Sequence, residues 1–177
     1  QEIEMFPEMN KTNLILEPEA KNTLPAIALG VAYLEKHNLI KDSDSVFVTP
    51  ADHNIEPEEV FINYLQQVDN LTKKNKIVTM GITPSYPEIG YGYIESSEQK
   101  IENGFIVKQF VEKPNLETAK SYLEAGNFYW NSGMFGFSMK IFYEEVKQFA
   151  PEIHQLMLQG YDTLLNQFST LPKVSID

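Results

Sequence analysis

The sequence predicts an α/β fold, a largely parallel sheet flanked by helices, and three observations predict it. The run Ser45-Val46-Phe47-Val48-Thr49 is short, almost continuously apolar and stopped by Pro50, the pattern of a strand covered on both faces. Another strand is expected at Ile77-Val78-Thr79-Met80-Gly81-Ile82. Between the two, Val60, Phe61, Tyr64, Leu65 and Val68 recur at helical spacing, giving one apolar face. Strand, helix and strand in that order read as a right-handed crossover unit.

The other elements follow along the chain. After an irregular start, Asn22-Thr23 precede Pro25 and the pattern Ile27, Ala28, Leu29, Val31, Ala32, Leu34, a capped amphipathic helix ending near His37-Asn38. The helix between these two runs begins around Pro57. Past the second run comes a turn-rich stretch, Thr83-Pro84-Ser85-Tyr86-Pro87. It leads to a strand-like Tyr91 to Ser96, a Glu102-Asn103-Gly104 turn and a strand from Phe105 to Phe110, which suggests antiparallel additions to the sheet. Pro114 ends that strand. Leu116 to Ala125 is a short helix with Gly126 at its C′ position, followed by a glycine-containing strand from Ser132 to Phe137 and helices on both sides of Pro151. No repeat, low-complexity tract or interdomain linker interrupts the pattern, so residues 1–177 read as part of a single domain.

Composition narrows the function classes. With 177 residues, 42% hydrophobic and 12% aromatic, the chain can bury a substantial core. No apolar run reaches membrane-spanning length, and QEIEMFPEMN has neither a basic n-region nor an apolar h-region, so no membrane and a cytoplasmic setting are expected. Zero cysteines exclude a disulfide scaffold, thiolate-bound zinc and a cysteine nucleophile. A formal charge of −11 argues against nucleic acid, whose phosphates call for clustered Lys and Arg. Small anionic ligands would need a divalent metal, helix N-termini or a few placed lysines.

Ligands of open α/β sheets gather at the carboxyl ends of strands, and the distinctive polar segments fall there. They are Leu16 to Ala28, Thr49-Pro50-Ala51-Asp52-His53, Gly90-Tyr91-Gly92-Tyr93-Ile94, Phe110-Val111-Glu112-Lys113-Pro114 and Trp130-Asn131-Ser132-Gly133-Met134-Phe135. Taken singly, each has an ordinary reading. Asp52 suits a cap or turn, Asn22 and Thr23 suit helix capping, Lys113 suits a solvated strand end with Glu112 as its surface ion-pair partner. Gly90 and Gly92 suit a turn and a bulge, or a close backbone approach to a ligand. Strand alternation sends Glu112 and Lys113 to opposite faces unless the strand ends there, so contact with one ligand through both requires a twist or bulge before Pro114. Glu17 could be an exposed acid before Pro18, or could accept from N1–H and the exocyclic amine of guanine. Asn131 offers a donor and an acceptor, which suits a pair of sugar hydroxyls. Trp130, Met134, Phe135 and Phe137 read as core and pocket wall, His53 as structural, and His37 and His154 as surface residues.

In this order and at this spacing the segments resemble the sugar-1-phosphate nucleotidyltransferases, most closely the mannose-1-phosphate guanylyltransferase branch, over roughly residues 16 to 150. Five motifs in register make coincidence an unattractive account. The resemblance implies a Rossmann-like, GT-A-like fold and Mg²⁺-dependent transfer of GMP from GTP to mannose 1-phosphate, giving GDP-mannose and pyrophosphate. It implies Asp52 as the metal ligand, Lys113 on the sugar phosphate, and Gly90, Tyr91, Glu112 and Asn131 at the sugar. Glu17, Asn22 and Thr23 then fall to the nucleotide. A homodimer of the full-length protein is compatible with it. The family's glycine-rich opening, roughly GGxGxRLWPLSR followed by PKQ, has no counterpart here, so a central fragment with an incomplete sheet is expected. The alternatives are a nucleotidyltransferase for another hexose 1-phosphate, or a non-catalytic regulatory homologue.

Overall fold

The computed structural model describes residues 14–177; the irregular start expected up to Asn13 lies outside the described residues. The described residues group into two compact units: the chain up to Lys41 with Tyr143–Ile176, and Asp42–Phe142 with Asp177.

The first unit is helical. Helix α1 (Thr23–Lys36) begins as expected, with the Asn22 side chain accepting from Thr23 N, and buries Leu24, Ala28, Leu29, Val31 and Ala32. That apolar stripe meets α5 (Pro151–Met157) and α6 (Tyr161–Asn166), which contribute Ile153, Met157 and Leu164. Val146 and Ala150, before α5, and Phe168 and Leu171, after α6, are buried in this unit as well. An extended segment crosses the start of α1: Leu24 N donates to Val174 O at 3.1 Å and Val174 N to Lys21 O at 3.2 Å. His154 is not the surface residue its neighbours in sequence suggest. It is buried, with its ring edge-on to Tyr143, because α5 is short and turns the residue inward beside Ile153.

The second unit carries a five-stranded sheet: β1 (Ser45–Val48), β2 (Val78–Ile82), β3 (Tyr93–Ile101), β4 (Gly104–Val111) and β5 (Phe128–Ser138). Helix α2 (Glu58–Thr72) joins β1 to β2, α3 (Leu116–Ala125) joins β4 to β5, and α4 (Met139–Phe149) follows β5. The expected turn joins β3 and β4, with Glu102 at φ 51°, and Gly126 caps α3 in the left-handed conformation at φ 73°.

A mainly parallel sheet does not form. The pairings of all five strands are antiparallel. β1 and β2 do run the same way, but each pairs with β5, which lies between them. The crossover through α2 therefore skips one strand position, and β5 fills it. β5 also starts at Phe128, four residues before the expected Ser132, because Phe128 to Trp130 pair with β3. β1 is half-buried along its length, so it is not covered on both faces as its apolar run suggests, and β2 ends exposed. Helix α2 packs on β5 through Val68, and Gly136 makes this contact possible, since a Cβ there would lie 2.2 Å from Val68 Cγ1.

Candidate active site

The pairing partners of β5 define the place. Gly136 pairs with Phe47 of β1 and Val78 of β2, so β1 and β2 occupy opposite edges of β5. Trp130 pairs with Ile82 of β2 and Tyr93 of β3, so β3 shares an edge with β1, nearer the start of β5. A notch is left along that edge where β1 has ended and β3 has not begun. Three chain segments converge on it. Pro50, just past β1, borders Gly133, whose added Cβ would sit 3.4 Å from Pro50 Cγ. Gly92, just before β3, accepts from Asn131 N at 2.8 Å. Glu112, just past β4, brings its carboxylate to Gly92, where an added Cβ would lie 3.1 Å from Glu112 Oε2.

Asp52 sits exposed in the turn after Pro50, with exposed His53 beside it. Glu112 and Lys113 are also exposed, and they lie together: Lys113 Nζ is 3.0 Å from Glu112 Oε1. Strand alternation does not separate them, because β4 ends at Val111 and Lys113 then turns with φ 38° in the left-handed region. For a lysine that conformation costs about 1–3 kcal/mol. An exposed ion pair returns only about 0–1 kcal/mol. Local energetics thus do not account for the turn, which fits a residue held for another purpose.

Asn131 has both its side-chain groups engaged. Its Oδ1 accepts from Gly133 N at 3.0 Å, and its Nδ2 donates to Asp177 Oδ2 at 2.7 Å. Asp177 thereby joins the notch, a residue the sequence reading passed over. The available signal was its position at the end of the short apolar run Val174-Ser175-Ile176, as Asp52 follows Val46 to Val48. Gly92, which the sequence left open between a bulge and a close backbone approach, is the glycine that Glu112 and Asn131 approach. Gly90 is exposed and gives its N–H to Glu88 Oε1 at 2.7 Å.

The wall behind the notch is aromatic. Tyr86 and Tyr91 meet the Trp130 ring edge-on, with centroids 4.9 and 5.5 Å away. Partial loss of hydration, then the neighbouring Tyr91 and Glu88, push the Tyr86 phenol up. Trp130 packs with Tyr93, Phe128 and Ala119 of α3 and is 9% exposed, yet its Nε1 finds no acceptor among the described residues. A buried donor left so costs about 1–3 kcal/mol.

Glu17, Asn22 and Thr23 belong to the helical unit. Glu17 and Asn22 are exposed. Asn22 caps α1 with φ 72°, and Thr23 Oγ1 accepts from Ile176 N at 2.9 Å and pairs with Ser175 Oγ at 3.2 Å. The capping reading therefore holds for Asn22, whereas the Thr23 hydroxyl ties the start of α1 to Ser175 and Ile176 rather than to a helix N–H.

A profile of the nucleotidyl transferase family matches residues 2–173. The chain belongs to that family. Its curated relatives include the mannose-1-phosphate guanylyltransferase of Salmonella montevideo, 42% identical over 128 residues, which are 68% of this chain and 26% of that protein. Mannose-1-phosphate guanylyltransferase 2 of Escherichia coli O157:H7 is 44% identical over 129 residues, 68% of this chain and 27% of that one. Among solved structures, one described as mannose-1-phosphate geranyltransferase from Thermus thermophilus superposes with a TM-score of 0.82 at 30% identity, over 93% of this chain and 48% of its own. One described as mannose-6-phosphate isomerase from Helicobacter pylori gives 0.73 at 33% identity, over 91% and 64%. The matches cover about a quarter of the length of those curated relatives. Both of these curated relatives carry the name of the branch that the motifs resemble. No helix among its described residues is long and apolar enough to cross a membrane.

Proposed function

We propose that the protein transfers GMP from GTP to mannose 1-phosphate, releasing pyrophosphate and forming GDP-mannose. The observation that carries this is the left-handed turn at Lys113, which puts an ammonium and the Glu112 carboxylate side by side at the notch where Gly92 and Asn131 meet. A sugar phosphate needs that combination. The ammonium holds the phosphate as a point charge, the carboxylate accepts from ring hydroxyls, and glycine lets the ring approach the backbone.

The reaction needs no covalent enzyme intermediate. A phosphate oxygen of mannose 1-phosphate attacks the α-phosphorus of GTP in line, and pyrophosphate leaves; positioning and charge neutralisation do most of the work. Lys113 orients the attacking phosphate, and Glu112 and Asn131 fix the sugar. Glu17 is assigned to the guanine edge, with Asn22 acting toward the nucleotide beyond its capping role and Thr23 beyond its tie to Ser175 and Ile176.

A divalent cation suits the donor chemistry. Among the described residues no cluster of three or more His, Cys, Asp or Glu could hold a metal, which disfavours an all-protein cage. Two acids, Asp52 past β1 and Asp177 on Asn131, match Mg²⁺, which takes one or two carboxylates and fills its shell with water and substrate phosphates. When bound, Mg²⁺ would offset charge on the triphosphate.

Pyrophosphate release measured with GTP, UTP and dTTP against mannose 1-phosphate and another hexose 1-phosphate tests the assignment. GTP with mannose 1-phosphate should be the fastest pair, and Lys113→Ala should slow it at limiting mannose 1-phosphate. A normal rate for that variant would show the lysine has no such role, and preference for another pair would replace the substrate assignment.

A further inference from the structure

We propose that Trp130 is a positioning residue for the sugar, acting from the face of the sheet opposite the ligand by clasping the loop that carries Gly90, Tyr91 and Gly92. This rests on the sugar-phosphate reading of the notch. Trp130 and Asn131 are consecutive on β5, so their side chains leave opposite faces. Trp130 is buried with Tyr93, Phe128 and Ala119, whereas Asn131 lies beside Gly92 and Glu112.

Both residues grip the same loop. Asn131 N holds Gly92 O at 2.8 Å. The Trp130 ring receives Tyr91, next to Gly92, and Tyr86, from earlier in the loop, each edge-on. Two polar contacts brace the span between them. Tyr93 Oη donates to Glu88 O at 2.8 Å, and Glu88 Oε1 accepts from Gly90 N at 2.7 Å.

The tolerance at the far end is small. A Cβ on Gly92 would meet Glu112 Oε2 at 3.1 Å, closer than ordinary contact, and Asn131 Cβ and Val111 O at 3.6 and 3.7 Å, so Glu112 and Asn131 both lie within contact distance of this position. A slack Tyr91 shifts Gly92 against them, and the spacing of Gly92, Glu112 and Asn131 is the sugar's seat. Tyr86 and Tyr91 are each 49% exposed, so loop burial alone does not hold them, and the ring contacts carry that task. The indole N–H has no acceptor among the described residues, so the clasp works through the ring faces and edges.

Calorimetric titration of the chain with mannose 1-phosphate and, separately, with GTP tests this, using wild type, Trp130→Phe, Trp130→Leu and Tyr86→Leu. Trp130→Leu is expected to weaken mannose 1-phosphate roughly tenfold or more while leaving GTP unchanged. Trp130→Phe, which keeps an aromatic ring and loses only the N–H, should stay near wild type. Tyr86→Leu, a change at an exposed ring that leaves the core intact, should show the same split to a lesser degree, which keeps the test decisive if Trp130→Leu does not fold. Equal weakening of both ligands, no split in either leucine variant, or a phenylalanine variant as weak as Trp130→Leu overturns the inference while the sugar-phosphate reading stands. A wild-type chain that does not bind mannose 1-phosphate overturns that reading and this inference with it.

Discussion

Replacing Lys113 with glycine separates the folding role of this residue from its chemical one. The left-handed φ of 38° is strained for lysine and free for glycine, so the change relieves about 1–3 kcal/mol. Against that stand the lost ion pair to Glu112, about 0–1 kcal/mol for two exposed partners, and the greater freedom of glycine in the unfolded chain, about 0.5–1 kcal/mol. The sum allows a destabilisation of no more than about 1 kcal/mol, and its centre lies on the stabilising side. Binding should move much further. A hydrogen bond from an ammonium to a charged phosphate is worth about 1.5–3 kcal/mol, and each 1.4 kcal/mol is about tenfold, so mannose 1-phosphate should bind roughly ten to a hundred times more weakly. Urea unfolding reports the first quantity and calorimetric titration the second. Loss of more than about 2 kcal/mol of stability would show that the lysine is a structural element, and unchanged affinity would show that it does not meet the phosphate.

Two further outcomes follow from the sheet. Gly136→Ala forces a Cβ to within 2.2 Å of Val68 Cγ1, so overpacking between α2 and β5 should cost about 1–3 kcal/mol and lower the unfolding midpoint in urea; an unchanged midpoint would mean that α2 moves freely on β5. The Glu95 carboxylate on β3 is held below its ordinary range by Lys108 foremost, at 2.7 Å, and also by Gln109 and Asn127. A depressed folded-state value means that this stabilisation is full above the ordinary glutamate range and is lost as pH falls through the folded value. Urea unfolding followed below about pH 4 should therefore show a steeper acid loss for wild type than for Glu95→Gln, and parallel curves would remove Glu95 from the acid response.

Local signals were legible and pairing was not. Helix α1 with its Asn22 cap, α3 ending on Gly126, and the β3–β4 turn at residues 102–104 stand where spacing and turn chemistry place them, because each depends on residues within a few positions. The direction of the sheet depends on β5, which comes some 50 to 90 residues after its partners β2 and β1 and enters between them. No periodicity within β1 or β2 records that intrusion. His154 failed for a related reason, since the burial of a short helix is decided by what packs against it. In the site, the end of strand alternation at Glu112–Lys113 was legible as a condition and appears as the end of β4 at Val111 and the left-handed Lys113. Gly92 was left between two readings and Asp177 was missed because their parts are set by neighbours distant in sequence, Glu112 and Asn131 for the first and Asn131 for the second.

Paramagnetic broadening by Mn²⁺, used in place of Mg²⁺, probes the notch without altering it. With GTP present, amide signals around Asp52 and at Asn131, Gly133 and Asp177 should vanish first, those of Gly92, Glu112 and Lys113 should follow, and Asp52→Asn should restore them. Sharp signals around Asp52 and Lys113, with broadening confined to other acids of this acidic chain, would contradict a common seat for the metal-holding carboxylate and the phosphate-holding ammonium.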